Sequence, residues 1–310
     1  MNASAGATPE NGATPENMDG VIVVDKPEGW TSHDAVNKLR RLAKTRRVGH
    51  LGTLDPLATG VLPLVIGRAT RLARFYLSSD KEYEATVRFG FSTNTYDREG
   101  TATSLVTEPI MLREQIEALL PKFEGTIPQT PPPVSAKKVG GAPAYKLVRN
   151  NIAFELKPVE VTIHSIELLA CEESTVKIRV ACSAGTYMRS LAHDWGQLLG
   201  CGAHLAGLRR LSSSGFTLSQ ALELRQLEAL AQDGRLKEAL IPAACLLPHF
   251  PSETVDAVTA VQIRHGRDFR VSPFRVQKAS RFVKAISPDG QLLAIGELTL
   301  PHVYHPVLVF

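Results

Sequence analysis

One acid, Asp55, lies in the stretch Gly49-His50-Leu51-Gly52-Thr53-Leu54-Asp55-Pro56-Leu57-Ala58-Thr59-Gly60. The three glycines permit close backbone approach or unusual dihedrals. Pro56 biases Asp55 away from helical backbone and stiffens the loop behind it. An Asp-Pro pair alone most often marks a turn, but the surrounding charge argues for more. Between Val36 and Phe75 nine basic residues (Lys38, Arg40, Arg41, Lys44, Arg46, Arg47, Arg68, Arg71 and Arg74) accompany this single carboxylate. Cations in that number favour the ionised acid. An ionised Asp on a stiff, glycine-lined loop can act as a nucleophile or a base. Other chemistries lack their residues: there is no GxxxxGK[ST] phosphate loop, no GxGxxG, no HExxH and no GxSxG. Cys201, His204 and His193 fall short of a four-ligand tetrahedral site, so neither metal nor cofactor is expected.

The elements around such a loop begin with the chain as a whole. At 310 residues it has room for one large catalytic domain and a smaller one. Its 44% apolar and 21% charged residues are those of a soluble globular protein. Cys171, Cys182, Cys201 and Cys245 include no CxxC pair, which excludes a zinc ribbon and argues against a disulfide scaffold. No apolar run nears the roughly 18 residues that span a bilayer, and the N-terminus lacks a secretory signal pattern. A cytoplasmic protein with no membrane contact is expected. The net charge is only +4, but it is segregated. Residues 128–150 hold four basic residues and no acid, and 262–284 hold seven and one acid, Asp268. The acids are displaced to 82–124 and 223–238. Three such clusters read as a face for a polyanion.

The duplicated hexapeptide Gly-Ala-Thr-Pro-Glu-Asn at 6–17 has no large apolar side chain, so 1–18 is expected to be a flexible tail. A short apolar strand is expected at 20–27, then a basic helix capped by Thr31 or Ser32 and running to about 44. A buried strand follows at 61–66. Tyr83, Ala85, Val87, Phe89 and Phe91 alternate with polar residues, the period of a half-buried strand. A helix is expected at 109–120, with Leu112, Ile116, Leu119 and Leu120 on one side. The proline- and glycine-rich stretch at 125–143 is expected to be a loop excursion. Strands resume at 159–169 and 175–182, and a helix over 186–199 carries a stripe of Met188, Leu191, Ala192, Trp195 and Leu198. Prolines at 242, 248 and 251 mark a domain boundary. The pattern gives an α+β fold with a mixed sheet rather than a doubly wound one.

At the Asp55 loop a family resemblance emerges. Gly49-His50 and Gly52-Thr53-Leu54-Asp55-Pro56-Leu57-Ala58-Thr59-Gly60-Val61-Leu62 resemble the catalytic signature of the TruB family of tRNA pseudouridine synthases. Asp25-Lys26-Pro27 with Gly29 is similar to that family's first motif. Lys81-x-Tyr83 with Gly90 and Thr95-x-Asp97-x-x-Gly100 is similar to its second. The run from Pro132 to Lys138, with Ala144-Tyr145-x-Leu147, resembles its RNA-binding insertion. Cys182-Ser183-x-Gly185-Thr186-Tyr187-x-Arg189 and Gly200–His204, with Leu208-Arg209-Arg210, resemble its last motifs. The likeness covers about 20–247. Leu51 departs from it, since a small polar residue usually follows the His.

The resemblance implies a mainly antiparallel mixed sheet flanked by helices over 19–250, with an RNA-binding insertion at about 125–157. It also implies a small β-rich PUA-like domain at 251–310. It implies Asp55 as the catalytic acid, His50 beside a flipped nucleotide and Tyr83 stacked on its uracil. Arg189 would pair with Asp55, with Tyr187 and Leu208 lining the pocket, and Lys137, Lys138 and Arg209 would contact the RNA backbone. Lys26 reads as a turn residue. The implied reaction is isomerisation of a uridine in the T-arm stem-loop of tRNA, by a monomer without a guide RNA. The rival classes are an RNA-guided synthase within a ribonucleoprotein, a catalytically silent RNA-binding or RNA-folding module, and a nucleoside-type hydrolase.

Overall fold

The structure is a computed structural model that describes residues 18–135, 137–150, 152–272 and 280–310. The expected tail at 1–18 lies, apart from Met18, outside the described residues. The main strands are β1 (Gly20–Lys26), β2 (Val48–His50), β3 (Ala58–Ile66), β4 (Lys81–Phe89), β5 (Gly125–Gln129) and β6 (Val159–Glu172). They continue with β7 (Thr175–Cys182), β8 (Ala203–Ser213), β9 (Ser252–Thr254), β10 (Phe282–Ile286), β11 (Leu292–Leu300) and β12 (Val303–Val309). The α-helices are α1 (Ser32–Leu42), α2 (Arg113–Glu117), α3 (Leu120–Phe123), α4 (Ala144–Arg149), α5 (Met188–Leu198), α6 (Leu224–Gln232) and α7 (Ala257–Arg264).

The large sheet has the order Leu222–Glu223, β1, β3, β8, β4, β7, β6, β5. Only β1 with Leu222–Glu223 and β3 with β8 run parallel along that order. The sheet is thus mixed and mainly antiparallel. Tyr83, Ala85, Val87 and Phe89 of β4 are all buried, as their period of two requires. Val21–Val24 of β1 are all apolar because the strand separates two cores: Ile22 and Val24 face one, Val21 and Val23 the other. α1 starts where Thr31 caps it, since Thr31 accepts from the Asp34 N–H while the Asp34 carboxylate accepts from the Thr31 N–H. In α5, Trp195 is fully buried against Phe123 at 5.8 Å between ring centroids. Truncating Trp195 to Ala would cost about 3–5 kcal/mol.

Four local expectations change. Residues 125–129 are not loop but the edge strand β5, paired antiparallel with β6. An edge position tolerates Pro128, whose missing N–H leaves no inner ladder broken. The helix expected at 109–120 is two short pieces, α2 and α3, with Pro121 near the start of the second. Leu198 is about half exposed and leaves the α5 stripe. The strand β8 had no clear sequence signal, and it carries register shifts at Leu205/Gly207 and Arg210/Ser212.

The second sheet starts at Ser252, with order β9, β10, β11, β12, Phe269–Arg270. It packs on the large sheet through a shared core in which Val61, Val65 and Leu72 join Leu292, Ile295 and Leu308. Phe75, Phe250 and Phe282 meet there with ring centroids 5.2–5.4 Å apart. Several clustered cations serve this junction. Lys284 is buried and donates to the Ala244 and Leu246 carbonyls, and Arg71 donates to the Val309 carbonyl. Arg41, Lys44, Arg46 and Arg47 stay exposed, as do Arg264, Arg267 and Arg270. Among the described residues no helix is long and apolar enough to cross a membrane.

Candidate active site

Between β2 and β3 the chain makes the loop that carries Asp55, and it is held from three sides. In front, Ser32 at the start of α1 both donates to the Leu54 carbonyl and accepts from the Leu54 N–H, at 3.1 and 2.8 Å. Behind Pro56, the ammonium of Lys26 donates to the carbonyls of Pro27, Trp30 and Pro56. Lys26 is fully buried, and burial lowers its pKa to about 8. Beneath the loop, Arg210 donates to the carbonyls of Val61, Thr53 and Gly52 at 2.7, 3.2 and 3.2 Å. Two glycines make this possible. Gly52 has φ +139°, and a Cβ at Gly60 would stand 2.2 Å from the Arg210 carbonyl oxygen.

Arg189, in the first turn of α5, places its Nε 2.9 Å from Asp55 Oδ2. Its Nη1 lies 3.4 Å from Asp97 Oδ2 and donates to the carbonyls of Thr95 and Val134. A cation at a helix N-terminus opposes the helix dipole, and two carboxylates offset that cost here. The same end of α5 anchors the insertion. The Gln129 side chain donates to the Tyr187 carbonyl and accepts from its N–H, and Ser190 donates to the Thr130 carbonyl.

Asp55, His50, Tyr83, Tyr187, Arg189 and Leu208 all line one cavity of about 430 Å³. Tyr83 is buried, and desolvation raises its phenol pKa against the pull of the neighbouring Arg210 guanidinium. Burial, Arg210 and His33 lower the His50 pKa, and its Nδ1 accepts from the Gly52 N–H. His50 is therefore a neutral imidazole. Burial likewise raises the Tyr187 phenol. Leu51, the departure from the motif, turns its side chain into the core shared with the second sheet.

The remaining candidates lie elsewhere. Lys137 and Lys138 are exposed on the insertion, with Lys146 and Arg149 on α4. Arg209 makes a bidentate pair with Asp25 at 3.1 and 2.7 Å, so its guanidinium is already occupied.

Residues 40–188 match the TruB family pseudouridylate synthase N-terminal domain, and 189–248 match the tRNA pseudouridylate synthase B C-terminal domain. A curated relative, tRNA pseudouridine synthase B of Solibacter usitatus, is 61% identical over 94% of this chain and 100% of its own length. The chain belongs to the TruB family of pseudouridylate synthases. The relative of the same name in Dechloromonas aromatica is 43% identical, over 90% of this chain and 91% of its own. A solved H/ACA ribonucleoprotein bound to a substrate RNA containing 2′-deoxyuridine holds a similar chain. It has a TM-score of 0.70 and 26% identity, over 95% of this chain and 86% of that one. In this TruB family member the C-terminal match at 189–248 takes in nearly all of α5 and the whole of β8, and it stops before the second sheet begins.

Sequence reasoning assigned no role to Lys81, Asp97, Gln129 or Arg210, and read Lys26 as a turn residue. Lys81 carried a signal: it stands two residues before Tyr83, on the buried face of β4. Arg210 carried none beyond its place next to Arg209.

Proposed function

We propose that this protein isomerises a uridine of tRNA, within the T-arm stem-loop, to pseudouridine. The convergence of Asp55, Arg189, Tyr83 and His50 on one cavity carries the proposal. Its volume falls in the range of small-ligand sites and suits a single flipped nucleoside. The reaction needs an ionised carboxylate on the sugar face, either to attack C1′ or to take the 2′ proton. Asp55 fills that role, and Arg189 fixes its direction. The freed uracil must be held while it turns, and the ring of Tyr83 is the stacking surface. Flipping costs a few kcal/mol, and a neutral His50 filling the vacated stack offsets part of it.

Exposed Lys137, Lys138, Lys146 and Arg149 grip backbone phosphates beside the pocket, a recognition of RNA by shape. Arg209 has a lesser part because Asp25 holds it. The small C-terminal sheet serves as a PUA-like RNA contact through Arg264, Arg267 and Arg270. Full-length likeness to curated tRNA pseudouridine synthase B proteins supports a stand-alone enzyme. Tritium release from a C5-labelled tRNA transcript, with purified protein and no guide RNA, tests this. Stoichiometric release with formation of pseudouridine is expected. No release without guide RNA, or release of free uracil, would refute it.

A further inference from the structure

Two cations beside the pocket make no ion pair among the described residues, although the Asp80 carboxylate lies near enough to Lys81 to favour its charged form. Arg210 is fully buried and spends its donors on backbone carbonyls and the Tyr83 hydroxyl. Lys81 is half-buried, lines the cavity and donates to the Ser79 carbonyl at 2.8 Å. Both approach Gly52 of the catalytic loop: a Cβ there would lie 3.5 Å from Lys81 Cε and 3.6 Å from Arg210 Nη1. Lys81 and Tyr83 share one face of β4, so their side chains leave the strand one pleat repeat apart. Taking unpaired charge out of water is costly, and like charges side by side add to that cost. Both burial and Arg210 lower the Lys81 pKa. A site built against its own resting stability fits a partner that exists only during the reaction.

The chemistry supplies such a partner. When the C1′–N1 bond breaks, its electron pair stays on N1, and uracil leaves as a monoanion with charge spread over N1, O2 and O4. C1′ is then bonded to an Asp55 oxygen, or is double-bonded to C2′ after Asp55 has taken the 2′ proton. The base departs as an anion by either route. C5 then bonds to C1′ as the Asp55–C1′ bond breaks or as Asp55 returns the proton to C2′, the C5 proton is lost and N1 gains one, so no external reagent is needed. We propose that Lys81 is a further catalytic residue whose ammonium stabilises the detached uracil anion, with Arg210 reinforcing the field from beneath the loop. Lys81 keeps its proton and acts as a fixed charge at the place where negative charge develops. This rests on the assignment of the cavity to a flipped uridine.

A leaving-group comparison tests it. Single-turnover rates are measured at saturating tRNA, as loss of the parent nucleoside in nuclease digests, for transcripts containing uridine or 5-fluorouridine, whose electron-withdrawing fluorine stabilises the departing base and leaves no C5 hydrogen to release. Loss of one such stabilising group costs about 10²–10³-fold. Lys81→Met is expected to slow conversion of uridine about 100-fold while the tRNA Kd changes by less than about three-fold, given that the lost charge acts on the transition state. The loss with 5-fluorouridine is expected to be about ten-fold or less, as the better leaving group needs less help. Lys81→Arg, which keeps the charge, recovers most of the rate. If Lys81→Met melts at assay temperature, Lys81→Gln replaces it, since its amide still reaches the Ser79 carbonyl without the charge. Equal losses with both bases, a loss confined to Kd, or an unchanged rate would overturn the role of Lys81. A wild-type protein that makes no pseudouridine would instead overturn the assignment of the cavity.

Discussion

Arg189 joins the catalytic loop, the Thr95–Asp97 turn and the insertion, so its removal strands charge as well as breaking bonds. Its side chain is 6% exposed, and the two carboxylates it meets differ: Asp55 is 34% exposed and Asp97 only 5%. Removing one member of a buried ion pair costs about 3–5 kcal/mol, mostly because the other charge is left unpaired. Water reaches Asp55 and relieves much of its share, so nearly all the penalty in Arg189→Met comes from Asp97. That places the loss near the low end, about 3 kcal/mol by the same measure. At about 2–4 °C per kcal/mol for a domain of this size, Tm falls by about 6–12 °C. Asp97→Asn alone also destabilises, because the Asp97 carboxylate accepts from the Thr95 hydroxyl and the Glu99 N–H. Placed in the Arg189→Met background, however, Asp97→Asn removes the stranded charge and raises stability again, a coupling of about 1–3 kcal/mol. Denaturant melts of the four proteins measure it, with single-turnover rates beside them. The rate does not recover in the double variant, since Asp55 still lacks its guanidinium. Additive losses, with Asp97→Asn lowering the midpoint in both backgrounds, would refute Asp97 as the charge that Arg189 neutralises.

Tyr83→Phe keeps the stacking surface and is expected to retain activity that Tyr83→Leu loses; equal loss in both would make the hydroxyl a proton-transfer group. Replacing Lys137 and Lys138 together by Ala flattens the salt dependence of tRNA binding by about one to two units of log–log slope, from about 0.7–0.9 per phosphate contact. KM rises while the saturated single-turnover rate holds, and an unchanged slope would take these lysines off the RNA. Burial raises the Asp194 pKa from 3.8 to about 6, so the folded state keeps a proton that the unfolded state has lost. Stability on this account is full below pH 3.8 and declines as pH rises to about 6. Asp194→Asn removes that decline and stabilises above pH 6, by about 1–2 kcal/mol after allowance for partial solvent access. Thermal melts at pH 4 and pH 7.5 check this, and a gain equal at both pH values would contradict it.

The Asp55 loop and Tyr83 were legible in the sequence because their signals are local. Glycines and a proline define the one, and strict alternation defines the other. Buried cations were not. Lys26, Lys81 and Arg210 look like surface residues until the fold shows which carbonyls surround them, and a +4 chain gives no reason to bury two and half-bury the third. Arg209 and Arg210 are indistinguishable by type and neighbourhood. The pleat of β8 sends the first to Asp25 and the second under the catalytic loop. That parity needs the register of β8 against β3 and β4, which is non-local and interrupted by bulges. β5 was hidden for a similar reason, since Pro128 and the prolines just after the strand signal a turn unless the sheet edge is already known. Asp97 lay within a quoted motif, yet its partner Arg189 is 92 positions away and only packing joins them.

Asp55→Asn tests the central claim most directly. The substitution keeps size and shape, removes the charge and the nucleophilic oxygen pair, and takes away nothing favourable to a polyanion. Single-turnover tritium release from C5-labelled tRNA is measured beside a filter-binding Kd on the same preparation. Release is expected to be abolished, with tRNA binding within a few-fold of wild type. More than a few per cent of the wild-type rate in Asp55→Asn would contradict the assignment of Asp55 as the catalytic carboxylate.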